Sequence, residues 1–182
     1  MKILLRLLGV VFVLAVVLLA VAFLLPGSYR VERAIVIQAT PERVWMELAD
    51  FRAWVAWGEW YQRDPEMKVA YSVMPLPNAV DGWSSWESES EGNGRAQWTI
   101  LKAPTLAEYE LTFEGWDTKS TGRFVLDAEE GGTRLTWIGE GHLGRNPISR
   151  WIGLMLDRWI GKDFESGLAR LKLRCEGPRL PQ

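Results

Sequence analysis

The chain has 182 residues, a formal net charge of −2, one cysteine and one histidine. This length fits one domain plus an appendage. With Lys2 and Arg6 in the N-terminal segment the remainder is more acidic still, so it lacks the basic face that nucleic-acid phosphates require. A lone Cys175 rules out an intrachain disulfide, and a lone Cys with a lone His142 cannot build a zinc site of the usual kind.

Leu7 to Leu25 carries no charge and no strong polar group. As a helix this run is about 28 Å long, close to the ~30 Å hydrocarbon core of a bilayer. Lys2 and Arg6 precede it, which predicts a cytoplasmic N-terminus and an exported remainder. A cleaved signal peptide is the competing reading, because Ala20-Val21-Ala22 matches a small-residue cleavage site. The apolar run continues through Phe23-Leu24-Leu25, which favours a retained anchor in the inner membrane. Residues 1–6 are then a cytoplasmic tail, 7–25 the transmembrane anchor and 26–30 a linker, with Pro26-Gly27-Ser28 ending the helix. Residues 31–176 form the exported domain, and 177–182 a tail.

Tyr29 to Gln38 reads as a strand, rich in β-branched residues. Thr40-Pro41-Glu42 is a helix start, followed by Val44, Trp45 and Leu48 at helical spacing. Trp54, Trp57 and Trp60 recur every third residue, on a second short helix or a wide aromatic loop. Met67 to Val73 reads as a strand, broken by Met74-Pro75-Leu76-Pro77-Asn78. Trp83 to Ser90 and Arg95 to Leu101 flank a hairpin turn at Glu91-Gly92-Asn93-Gly94. Leu106 to Phe113, Thr121 to Leu126 and Thr133 to Gly141 alternate apolar and polar, with a turn at Glu129-Glu130-Gly131-Gly132. Short turns between such strands predict an antiparallel meander. Asn146-Pro147 opens a last helix from about Ile148 to Cys175, with one apolar stripe: Ile148, Ile152, Met155, Trp159, Ile160, Phe164, Leu168 and Leu171. Gly161 predicts a kink there. The expected fold is α+β, a curved antiparallel sheet of about seven strands around a long C-terminal helix, plus the N-terminal transmembrane helix.

Three stretches carry a family resemblance. They are Val31-Glu32-Arg33-Ala34-Ile35-Val36-Ile37 running into Thr40-Pro41-Glu42-Arg43-Val44-Trp45 and Leu48-Ala49-Asp50-Phe51; Ser120-Thr121-Gly122-Arg123-Phe124 through Gly131-Gly132-Thr133-Arg134-Leu135-Thr136-Trp137; and the terminal helix. Over residues 29 to 174 the chain resembles the SRPBCC superfamily of START/Bet v1-like helix-grip domains, in particular its bacterial polyketide cyclase/dehydrase-like members. The resemblance implies a helix-grip fold. It leaves the function open among lipid carriers, metabolite binders and aromatase/cyclases.

The eleven tryptophans are far in excess of ordinary usage. Taking strand faces from alternation, an inner cavity is expected to be lined by Trp86, Trp98, Tyr109, Leu111, Phe113, Phe124 and Trp137, with Trp151, Met155 and Trp159 added by the last helix. Tyr109, the tryptophan N–H groups, Ser84 and Ser88 are the available polar anchors. Rings this large are hard to interdigitate on one face without gaps. Trp54, Trp57 and Trp60 are expected either to cap the barrel mouth from inside or to form a cavity entrance or membrane-facing rim. Glu87, Glu89 and Glu91 share the opposite, solvated face of their strand. His142 falls opposite Trp137 by parity, so neither set forms a catalytic constellation. No Gly-rich loop follows a strand to open a helix, and no cofactor is expected. The expected partners are a hydrophobic small molecule or lipid, and the membrane. A cyclase/dehydrase-like enzyme using Tyr109 or His142, and a structural protein with a filled core, are the alternatives.

Overall fold

In the computed structural model, which describes residues 2–76, 78–115, 118–144 and 146–177, the elements follow the expected order. The expected C-terminal tail beyond Gly177, and Pro77 of the expected strand break, lie outside the described residues. Helix α1 (Lys2–Leu24) contains a stretch, Arg6–Leu24, long and apolar enough to cross a membrane and almost wholly uncovered by the rest of the chain.

Seven strands follow: β1 (Ser28–Ile37), β2 (Lys68–Tyr71), β3 (Trp83–Glu87), β4 (Gly94–Lys102), β5 (Leu106–Phe113), β6 (Ser120–Glu129) and β7 (Gly132–His142). They form one antiparallel sheet in the order β1-β7-β6-β5-β4-β3-β2. The first and last strands pair over their full length, from Ser28 opposite His142 to Ile37 opposite Thr133. Both expected hairpin turns form, and Gly92 (φ 76°) and Gly131 (φ 84°) take the left-handed backbone that a side chain would resist.

Between β1 and β2 the chain makes three short helices, one more than the sequence suggests: α2 (Pro41–Leu48), α3 (Phe51–Trp54) and α4 (Glu59–Arg63). Thr40 caps α2 and Asp50 caps α3, its carboxylate accepting from the Arg52 N–H at 3.0 Å. These helices lie in the concave face of the sheet. Helix α5 (Pro147–Glu176) starts at an Asn146 cap that accepts from the Ile148 N–H at 2.9 Å.

Only the C-terminal half of α5 is clasped. Gly161, Phe164, Gly167, Leu168, Leu171 and Cys175 are buried, whereas Ile148, Ile152, Met155 and Trp159 are exposed. The single stripe read from the sequence therefore has two partners along its length. The helix runs through Gly161 without interruption, and the glycine serves as a seat. A Cβ there would meet the Arg33 guanidinium, which crosses the helix to donate to Asp157 (Oδ1, 3.0 Å) and Glu165 (Oε1, 2.6 Å).

Candidate functional site

The concave face carries an interlocked cluster of rings. Trp54 of α3 sits at its centre, with ring centroids of Phe51 and Tyr109 at 5.0 Å, Trp57 at 5.3 Å and Trp98 and Phe124 at 5.7 Å. Most of these contacts are edge-to-face, the geometry in which a ring's positive edge meets a negative face. Trp137 extends the cluster to α5, stacking on Phe164 at 3.8 Å with an interplanar angle of 6°.

Glycines on facing strands make this density attainable. A Cβ on Gly122 would overlap Tyr109 Cζ and Oη, and one on Gly94 would overlap the Trp86 indole. At these two positions a large ring lies over the neighbouring strand where that strand offers no side chain. Trp54 and Trp57 fold in among these rings. Of the two expected placements Trp54 and Trp57 take the inner one: both are fully buried in the core and form no exposed rim, whereas Trp60 is half-exposed.

Most polar handles on the rings are used internally. Trp54 Nε1 donates to the Leu48 carbonyl at 2.8 Å, and Trp57 Nε1 to the Glu47 carbonyl at 3.2 Å. These bonds tie the two indoles back to the C-terminal end of α2. Trp137 Nε1 donates to the Tyr109 hydroxyl at 2.9 Å. Burial pushes the Tyr109 phenol well above its ordinary pKa, against the pull of that donor. Burial likewise pushes Tyr61 up to about 12, with Trp60 and Ser84 pulling it back, and the Cys175 thiol up to about 11. None of these three groups is placed to exchange protons near neutrality. His142 is exposed at the end of β7 on the convex face, so the sheet separates it from Tyr109. Among the described residues no group of three or more His, Cys, Asp and Glu side chains could hold a metal ion.

The cluster loosens at the β3–β5 end of the concave face. Trp86 is buried and edge-on to Phe113 at 5.7 Å, but Phe113 is 36 % exposed and Leu111 half-buried. Ser84, two residues before Trp86 on the same face, is completely buried, and its hydroxyl makes no hydrogen bond of normal geometry. Ser88, the other serine expected as an anchor, is instead bonded to Asp64 at 2.6 Å. Nearby, Arg63 of α4 bridges Glu91 of the β3–β4 turn and Asp163 of α5 (2.7 and 2.6 Å), tying three elements across the rim.

Trp151, Met155 and Trp159 do not reach this interior. They lie on the exposed half of α5, beyond the part the sheet covers. There Trp151 Nε1 donates to the Leu18 carbonyl of α1 at 3.3 Å, and Arg150 to the carbonyls of Phe23 (3.0 Å) and Leu25 (3.2 Å). Helix periodicity gives the face of a residue but not what lies opposite, and here α1 replaces the sheet.

The family model described as polyketide cyclase / dehydrase and lipid transport matches residues 28–176. No curated protein matches the chain. Solved structures share the fold. Protein CV1439 from Chromobacterium violaceum is 18 % identical with a TM-score of 0.58, the match covering 84 % of this chain and 99 % of that one. The di-domain ARO/CYC StfQ from the steffimycin biosynthetic pathway is 13 % identical with a TM-score of 0.61, over 82 % of this chain and 51 % of that one. DynU16 from the dynemicin biosynthetic locus is 13 % identical with a TM-score of 0.57, over 81 % of this chain and 47 % of that one.

Proposed function

The chain belongs to the polyketide cyclase/dehydrase and lipid transport family, and from that membership we propose that it is an exported, membrane-anchored binding domain for a hydrophobic small molecule or lipid. α1 is the anchor, with its N-terminus in the cytoplasm. The ligand lies at the β3–β5 end of the concave face, against Trp86, Leu111 and Phe113. One observation carries this reading: at that end the aromatic interior continues into apolar side chains, Leu111 and Phe113, that the chain leaves only half-covered. Such a site has mostly apolar walls, as small-molecule pockets do. Deeper in, Trp137, Trp54 and Trp57 have spent their N–H groups on the protein itself, which supports holding a ligand over transforming it.

Native mass spectrometry of the intact chain taken from its host membrane tests this. Wild type should carry an apolar adduct. Leu111→Arg, at a half-buried position on the edge of the ring cluster, should lose it while the near-UV circular dichroism of the tryptophans shows the fold retained. An identical adduct on both proteins would refute the site, and a bare wild-type chain would refute the binding role.

A cyclase/dehydrase-like enzyme is the second reading, favoured by the family description and by the similarity in fold to the ARO/CYC protein StfQ. Tyr109 is its interior candidate, and His142 lies on the other face. Turnover of an aromatic or lipid-like substrate that survives both Tyr109→Phe and His142→Ala would remove those roles.

A further inference from the structure

The exposed half of α5 has a composition unlike the rest of the surface. From Pro147 to Leu156 the only charged residue is Arg150. Ile148 is 65 % exposed, Leu154 55 % and Trp159 51 %, with Ile152 and Met155 alongside. An apolar face this continuous is rare on a water-exposed helix.

Its position relative to α1 gives the face a partner. Pro147, Ile148 and Trp151 line a crevice of about 330 Å³ with Ala15, Leu18 and Leu19 of the apolar helix. Leu18 precedes the end of α1 by six residues, which places its carbonyl about 9 Å below the helix exit. A side chain bonded to that carbonyl shares its depth. Arg150 sits higher, on the carbonyls of Phe23 and Leu25, where a cation completes the C-terminal end of α1 and meets its dipole. The start of α5 is also prepared for low polarity: Pro147 has no N–H, and the Asn146 side chain takes that of Ile148.

Resting on the reading of α1 as a membrane span, we infer that the N-terminal half of α5, from Pro147 to Trp159, is a second lipid contact bedded in the outer leaflet of the bilayer that α1 crosses. A depth of about 5–10 Å is where amphipathic interfacial helices lie, and Trp151 and Trp159 supply the aromatic belt expected at that level. The contact fixes the domain against the membrane face at two elements instead of letting it swing on the Leu25–Gly27 connection between α1 and β1. Asp157 does not oppose burial of this face, because its carboxylate is held by Arg33 on the domain side.

Single cysteines in the full chain, in a Cys175→Ala background, carry an NBD label at Leu154 or Trp159, with Phe12 reporting the span and Glu130 reporting water. The protein is reconstituted in phosphatidylcholine/phosphatidylglycerol vesicles with nitroxides on the acyl chains or in the aqueous phase. The labels at 12, 154 and 159 should be quenched several-fold more by acyl-chain nitroxide, and the label at 130 by the aqueous one. Lipid quenching at 12 with aqueous quenching at 154 and 159 overturns this inference and leaves the anchor standing. Aqueous quenching at 12 overturns the anchor itself. Protection of 154 from both quenchers, with energy transfer between labelled copies, assigns the face to a second copy of the chain and overturns the lipid contact.

Discussion

Replacing Gly122 with alanine should destabilise the domain far more than one added methyl group suggests. The new Cβ would sit inside the van der Waals envelope of Tyr109, 2.5 Å from Cε1 and closer still to the hydroxyl end of the ring. The ring has nowhere to go. It is fully buried, boxed by Trp54 at 5.0 Å, Trp98 at 5.6 Å and Phe124 at 5.7 Å, and pinned through its hydroxyl by Trp137 Nε1. Tyr109 and Gly122 also face one another in the β5–β6 register, so the backbone can yield only by opening that pairing. Overpacking costs about 1–3 kcal/mol, and displacing the phenol from its donor adds about 1 kcal/mol, for roughly 3 kcal/mol in all. For a domain of this size that lowers the melting temperature by about 6–12 °C. Near-UV circular dichroism of the full chain in detergent reports the transition through the tryptophans. A double-mutant cycle gives the decisive comparison. Tyr109→Leu should cost about 2–4 kcal/mol in the wild-type chain and far less in the Gly122→Ala background. A fall below about 2 °C for Gly122→Ala, or strictly additive costs, would refute the flat packing of the ring on the glycine.

Three further outcomes follow from the same geometry. Glu47→Ala should cost about 2–4 kcal/mol in chemical denaturation, because the nearly buried carboxylate accepts from both Arg43 (2.8 Å) and Arg174 (3.0 Å) and joins α2 to the end of α5; Glu47→Gln should cost less. Trp137→Phe keeps the stack on Phe164 but leaves the buried Tyr109 hydroxyl without its donor, a loss of about 1–2 kcal/mol measurable as a shift in the denaturation midpoint. The domain should also lose stability in alkali. Cys175 and Tyr61 are both acids whose neutral forms burial favours, so their contribution is complete below the unfolded values of 9.0 and 10.0. It is lost as pH rises through about 11 and about 12 respectively. Melting temperature against pH from 8 to 12 should therefore fall more steeply in wild type than in Cys175→Ala/Tyr61→Phe, and parallel curves would contradict the assignment.

Much of the fold was legible in the residues because local chemistry is enough to set it. Apolar alternation marks β5, β6 and β7, glycines at 92 and 131 mark the hairpins, and Thr40-Pro41 and Asn146-Pro147 open helices through hydroxyl or amide caps. The candidate site was legible in its parts but not in its arrangement. Parity placed Trp86, Trp98, Tyr109, Phe124 and Trp137 on the inner face, where they are. It had no means of showing that Trp54 and Trp57 fold in among them, since a three-residue spacing fits a buried helix and an exposed loop equally well. The use of Gly122 and Gly94 as seats for rings is a matter of cross-strand register, which single strands do not encode.

The amino-acid sequence by itself determined the antiparallel sheet, the long last helix and an N-terminal segment able to cross a bilayer, because each follows from periodicity and capping within a few neighbouring residues. Only the tertiary structure decided what each apolar surface meets. The stripe on α5 divides near Trp159, with the sheet taking one half and α1 the other, and the concave face is largely filled by the chain's own tryptophans. The physical reason is that burial of apolar area is non-directional. A sequence declares which face must leave water, and only long-range packing chooses whether protein, ligand or lipid covers it.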